Sequence, residues 1–241
     1  MGNSPQIDYH DTTRVFYELN FLEEDEELLD TVRTCIEAQK AAGLDALKST
    51  FQPHPNAREV SEAALADVLR SGAQVSGIAT EPEISNCIAF NYHSVQGAVM
   101  NEQLSTHRRA VDALVSERVR ALFRQARQLS VKNSGHFWYP PGGFMGWHTN
   151  PRTPGWRLYI NYCEEPGKSF FRYRDQEQGT TVTAMDKVWN FRLFKITNGK
   201  PLWHAIYSDT NRFSLGYRVT LKPSLIERVK KRLVRFTAQQ K

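Results

Sequence analysis

A chain of 241 residues, 40% hydrophobic and 24% charged, has enough apolar side chains to bury a sizeable core, which excludes a disordered polymer. No apolar run approaches the roughly 18 residues needed to span a membrane, and a formal charge of +5 is too modest to imply a nucleic-acid carrier. Three cysteines without a CxxC pair (Cys35, Cys87, Cys163) argue against a disulfide framework or a zinc ribbon.

The N-terminus, MGNSPQIDYHD, has no basic segment followed by an apolar one, and Gln6 stands where a myristoylation start would carry Ser or Thr. An ordinary N-terminus and a reducing, cytoplasmic setting are expected. Residues 23–40 open with acidic side chains that suit a helix N-terminus. Leu28, Leu29, Val32, Cys35 and Ile36 then form one stripe. A weaker helix is expected over 57–71. A stronger one covers 102–127, with Val111, Leu114, Val115, Val119, Leu122 and Phe123 as its buried face.

Near Asn133 the character changes. Aromatic and β-branched residues dominate, and turn signals are frequent. Strands are expected at about 136–139, 144–149, 156–163, 168–174, 180–183, 189–196, 202–207 and 212–220, with turns at PPGG, NPRTPG, EEPG, DQEQG and TNGKP. Such spacing predicts a β-sandwich or barrel. A last, basic helix is expected at 223–236, starting at Pro223. The organisation expected is one domain over 1–241: a mainly helical part to 132, a β core over 133–221 and the basic helix from 222.

Three features of the β half point to chemistry. His148 and Asn150 stand two apart, a spacing that on a strand turns both side chains to one face. A metal site of the two-His, one-carboxylate kind needs that geometry but wants Asp or Glu in place of Asn150. His204 follows in PLWHAIYSD. In NRFSLGYRV, Phe213, Leu215, Tyr217 and Val219 alternate with Arg212, Ser214, Gly216 and Arg218, so Arg212 and Ser214 share a face. An inward arginine needs an anion, and Arg beside a hydroxyl suits a carboxylate.

The run YPPGGFMGWHTN, RLYINY, GKSFFRYRD, WHAIYSDTNRFSLGYR, within about 136–220, resembles the Fe(II)- and 2-oxoglutarate-dependent oxygenases. That resemblance implies an α+β fold with a double-stranded β-helix (jelly-roll, cupin-like) core and helices packed on it, mainly from the N-terminal half. It implies iron on His148 and His204, with Tyr139 and Gly142 as the Tyr-x-x-Gly turn. It places 2-oxoglutarate on Arg212 and Ser214, with a further hydrogen bond from Tyr139, and makes dioxygen the oxidant.

Asn150 departs from the pattern. Water could fill the third ligand place, as in the aspartyl/asparaginyl β-hydroxylases, whose motif has an Arg nine residues after the His. Arg157 stands at that position and could contact the cosubstrate. A halide could fill it, as in the related radical halogenases, although Asn occupies much of the space of Asp. A remote carboxylate such as Asp175 or Asp209 could reach in. His136 could serve as a third imidazole if the hairpin brought it beside His148.

The expected reaction is hydroxylation of an unactivated C–H on a small-molecule or peptide-type substrate. Arg152, Arg157, Arg172 and Arg174 suggest an anionic one, with Arg152 and Trp147 as candidate substrate contacts. Radical halogenation and a non-catalytic binding module are the alternatives, and nucleic acid is the less favoured partner. The sequence leaves the oligomeric state open.

Overall fold

A computed structural model of the chain describes residues 6–41, 49, 51–54, 57–72, 85–89, 102–150, 153–197 and 201–222. The basic helix expected at 223–236 and Arg152 lie outside them. Eleven strands form two antiparallel sheets among the described residues. The strands are β1 (Phe16–Glu18), β2 (Ser85–Asn86), β3 (Ile88–Ala89), β4 (Leu129–Tyr139), β5 (Gly143–His148), β6 (Gly155–Cys163), β7 (Ser169–Arg174), β8 (Thr181–Met185), β9 (Trp189–Ile196), β10 (His204–Ser208) and β11 (Arg212–Leu221). The larger sheet has the order β1-β9-β6-β11-β4-β3 and the smaller β2-β5-β10-β7-β8. From β4 to β11 the chain changes sheet at every connection except β7 to β8. That winding is a double-stranded β-helix, the expected core. The short strands β1, β2 and β3 extend its edges and were not anticipated.

Three α-helices are described: α1 (Glu26–Ala41), α2 (Glu62–Ser71) and α3 (Glu102–Ala121). Their ends follow capping chemistry. Asp25 Oδ1 accepts from the Leu28 amide at 3.1 Å, and Ser61 Oγ accepts from Ala64 N at 3.1 Å, each satisfying a first-turn N–H. Gly72 closes α2 in the left-handed region at φ 65°. The stretch expected as one helix over 102–127 ends at Ala121, before a bridge from Ile7 to Phe123.

The alternation read in β11 is what divides the molecule. Phe213, Leu215, Tyr217 and Val219 pack with Trp138, Trp156, Leu158 and Ile160 against Val32, Ile36, Val111 and Val115 of α1 and α3. Trp138 and Trp156 are fully buried there, and truncating either side chain would cost about 3–5 kcal/mol. Opposite residues of the larger sheet face the smaller sheet across the barrel. On the smaller sheet's outer side, Val60 and Leu65 cover Phe144, Trp147, Trp203 and Tyr207. No helix among the described residues is long and apolar enough to cross a membrane.

Gly142 sits in the turn from β4 to β5 at φ 83°. A Cβ there would lie 2.9 Å from the His54 backbone nitrogen and 3.0 Å from Pro53. The turn therefore needs glycine both for its dihedral and for the close approach of residues 53–54. Gly142→Ala should lower the unfolding free energy by about 1–3 kcal/mol, measured by urea denaturation with an unchanged m-value.

Candidate metal and carboxylate site

His148 ends β5 and His204 begins β10, and the two are direct cross-strand partners. Their ring centroids are 4.0 Å apart. A register shift between His204 and Ile206 makes Met145, three residues before His148, the partner of Ile206. This bulge is why Met145 and His148, at odd spacing, line the same cavity. His148 Nδ1 donates to the Gly146 carbonyl at 2.7 Å, and His204 Nδ1 donates to the Leu202 carbonyl at 3.0 Å. That fixes both tautomers and leaves each Nε2 with a lone pair, the arrangement of metal-ligating histidines. His204 Nε2 is buried without a partner. Burial lowers the His148 pKa to about 4. It drives His204 well below the usual range, with His148 adding to the effect. Both imidazoles are neutral at pH 7 and fit a divalent ion.

Arg212 and Ser214 line the same inner cavity, with Tyr139, Tyr159 and Asn161. Arg212 Nε donates to Asp186 Oδ2 at 2.8 Å, and Tyr139 lies under its guanidinium at 5.2 Å. Asp186 also accepts from Ser169 Oγ at 2.7 Å and from Arg192 Nη1. Burial pushes the Asp186 carboxyl up, but the charges of Arg212 and Arg192 outweigh it and hold it at about 2. One face of the Arg212 guanidinium is thus clamped, while Nη1 is buried without a partner. Asn161, cross-strand from Ser214, has both amide atoms buried and unpartnered. Arg212 Nη1 and Asn161 Nδ2 are thus orphaned donors lining one cavity, a donor set that fits a carboxylate.

A second, outer chamber of about 200 Å³ shares Phe137, Met145, His148 and Tyr159 with the inner cavity. Asn150, Thr153, Arg157 and Arg218 line it. Arg157 is therefore found in the outer chamber rather than beside Arg212.

Several expectations need correction. Asn150 is not on the strand: β5 ends at His148, and Asn150 has φ 53°, so the two-residue strand rule does not apply to it. Trp147 points out of the barrel, packs under α2 and donates its indole N–H to the Ser61 carbonyl at 2.7 Å. It lines neither the inner cavity nor the outer chamber. His136 faces the helices, where its Nδ1 meets Gln39 Nε2 at 3.1 Å and Arg108 Nη1. It cannot join His148, because alternate residues of β4 face opposite sides.

Asp175 accepts from the amides of Glu177 and Gln178 in its own turn, and Asp209 accepts from the Tyr207 hydroxyl at 2.8 Å. Among the described residues, no group of three His, Cys, Asp or Glu side chains gathers around a common point. Arg172 reaches the Val60 carbonyl at 2.7 Å, and neither it nor Arg174 lines either chamber. The three cysteines are free, and burial pushes the Cys35 thiol up to about 11 and the Cys163 thiol up to about 12.

Sequence reasoning missed Asp186, Asn161 and Arg192. Asn161 had a signal, because in WRLYINYC the residues Arg157, Tyr159, Asn161 and Cys163 alternate with apolar Trp156, Leu158 and Ile160. Asp186, in a turn-like MDKV stretch, had none.

No family model and no curated protein matches the chain. Among solved structures it is similar to a prolyl-4-hydroxylase from Pseudomonas putida, at 13% identity over 88% of this chain and 95% of that one, with a TM-score of 0.45. It is also similar to dioxygenase for auxin oxidation 1 from Arabidopsis thaliana in its 2-oxoglutarate complex, at 11% identity over 91% and 93%, with a TM-score of 0.42.

Asp186→Asn should cost about 3–5 kcal/mol, because it leaves the buried Arg212 guanidinium uncompensated and Arg192 with only its pair to Glu18 at 3.4 Å. In the native chain the Asp186 pKa is depressed, so its contribution is complete above the unfolded value near 4 and is lost as pH falls toward about 2. Thermal unfolding between pH 5 and 2 should show a steeper acid decline for the native chain than for the variant.

Proposed function

We propose that this chain is an Fe(II)- and 2-oxoglutarate-dependent oxygenase, with the ion on His148 and His204 and the far carboxylate of the cosubstrate on Arg212. One observation carries the reading. Two neutral imidazoles with their Nδ1 atoms committed to backbone carbonyls share a cavity with a clamped guanidinium that has a spare, buried Nη1. A purely binding role would explain the arginine but not the paired imidazoles.

When bound, iron would let dioxygen act as the four-electron oxidant, two electrons coming from 2-oxoglutarate as it is decarboxylated to succinate and carbon dioxide and two from the substrate C–H. The protein's part is positional. Gly146 O and Leu202 O hold the imidazole rings, as outer partners of metal-ligating histidines do. Asp186 fixes the direction of Arg212, and Ser214 and Asn161 stand ready to satisfy the remaining carboxylate lone pairs. Phe171 and Phe194, with centroids 5.5 and 5.0 Å from His204, keep water from that ring. The inner cavity measures only about 20 Å³. Entry of a diacid therefore requires movement of Phe137, Met145 or Tyr159, which divide it from the outer chamber.

Hydroxylation is the favoured outcome. Asn150 lines the chamber beside His148 and takes up room a halide would need. The substrate would enter through the outer chamber, where the titratable side chains among the described lining residues are His148, Tyr159 and two arginines.

Anaerobic calorimetry should show one Fe(II) or Mn(II) bound per chain, lost in His204→Ala. Succinate should form on addition of iron, 2-oxoglutarate and air, and not in that variant. Arg212→Gln should raise the KM for 2-oxoglutarate about 100-fold, the loss expected for a charge-assisted pair worth about 3 kcal/mol. Absence of both metal uptake and succinate from the native chain would overturn the reading.

A further inference from the structure

Cross-strand register on the barrel face of the larger sheet places three cations in one row. Arg218 of β11 is the direct partner of Lys132 on β4 and of Arg157 on β6. Like charges directly opposite one another destabilise a sheet, so the row needs compensation. Asp186 provides it for Arg192 and Arg212 at the other end of the sheet. Here no acid does so among the described residues. Arg157 is 3% exposed yet donates only to neutral oxygens, Thr153 O at 2.6 Å, Thr153 Oγ1 and Trp156 O at 3.5 Å. Burial is the main cause of its lowered pKa, partly offset by Tyr159, and Arg218 adds to the lowering.

The outer chamber holds both arginines and, among the described residues that line it, no Asp or Glu. It also holds Ser134, whose Oγ is buried without a partner. This hydroxyl exists because of a register shift between Gly216 and Tyr217, which leaves Ser134 as the extra residue between Asn133 and Gly135. Two guanidinium groups, one of them almost fully buried, and a spare hydroxyl together make a receptor for an oxyanion.

We infer that Arg157, Arg218 and Ser134, supported by the charge of Lys132, bind an anionic oxygen group of the substrate, a phosphate or a carboxylate, and so orient the substrate toward His148. This rests on the oxygenase reading for what the site does, but not for what it binds. Arg212 and Arg218 are six residues apart on β11, roughly 20 Å of strand. One small diacid seated on Arg212 therefore leaves the outer row to a second molecule.

The test is calorimetric titration of the full chain, supplemented with Mn(II), using inorganic phosphate, acetate and 2-oxoglutarate as probes. Phosphate or acetate should bind saturably, and binding should persist with 2-oxoglutarate present. Affinity should fall about tenfold or more in Arg218→Gln. Lys132→Gln should weaken it less. Arg174→Gln removes the same charge from the other sheet and should leave it unchanged. Stronger binding of phosphate assigns a phosphorylated substrate, and stronger binding of acetate a carboxylic acid.

Equal affinity in Arg218→Gln and the native chain overturns the proposal. So does one-for-one displacement of phosphate by 2-oxoglutarate, which would make the row a cosubstrate site. A chain that takes 2-oxoglutarate but neither small anion retires the outer site and leaves the oxygenase standing. One that takes the small anion but no 2-oxoglutarate does the reverse.

Discussion

Strand β11 lies between β4 and β6 in the larger sheet, and its alternation governs both sides of the molecule. Every second side chain is apolar and seals against α1 and α3. The intervening ones, Arg212, Ser214, Gly216 and Arg218, face the barrel. Neither set can be displaced by one residue without driving two arginines into the helical core. The helices therefore do more than cover a sheet. By burying Phe213, Leu215, Tyr217 and Val219 they hold the register that aims the arginines inward.

Inward-facing cations have to be balanced, and the two ends of the sheet differ in how this is done. At one end Asp186 bridges Arg192 and Arg212 and is itself supported by Ser169. The pairing spares the deep guanidinium groups an uncompensated charge while leaving Nη1 of Arg212 available. At the other end Arg157 and Arg218 have no acid among the described residues. Between the two lie the imidazoles of the smaller sheet, kept neutral by burial. The interior runs from a compensated arginine, past two neutral nitrogen donors, to uncompensated arginines. That order suits a small diacid held deep and a second anionic molecule approaching from outside.

The strand pattern of the β half could be read because the periodicity of a sheet with one face on a hydrophobic core is written into consecutive residues. The inward placement of Arg212 and Ser214 followed directly. The pairing of His148 with His204 was reached through motif order, since the residues are far apart in the chain and nothing local joins them. His136, an alternative third imidazole, and Trp147, a candidate contact, both lie near His148 in sequence, but the sheet turns them to its outer faces. Asn150 was misjudged because its left-handed backbone ends the strand rule just before it.

By itself the sequence determined the apolar and polar faces of β11, the helical stripes of α1 and α3, and the residue types on which a metal and a carboxylate could rest. Those features depend on neighbours a few positions away. Only the tertiary structure decided that a bulge turns His148 into the same cavity as Met145, that Asp186 clamps Arg212, that Asn161 faces Ser214, and that Lys132, Arg218 and Arg157 form one row. Each of these depends on which strands lie side by side and in which register, and register is set by the packing of the whole barrel rather than by any local stretch of chain.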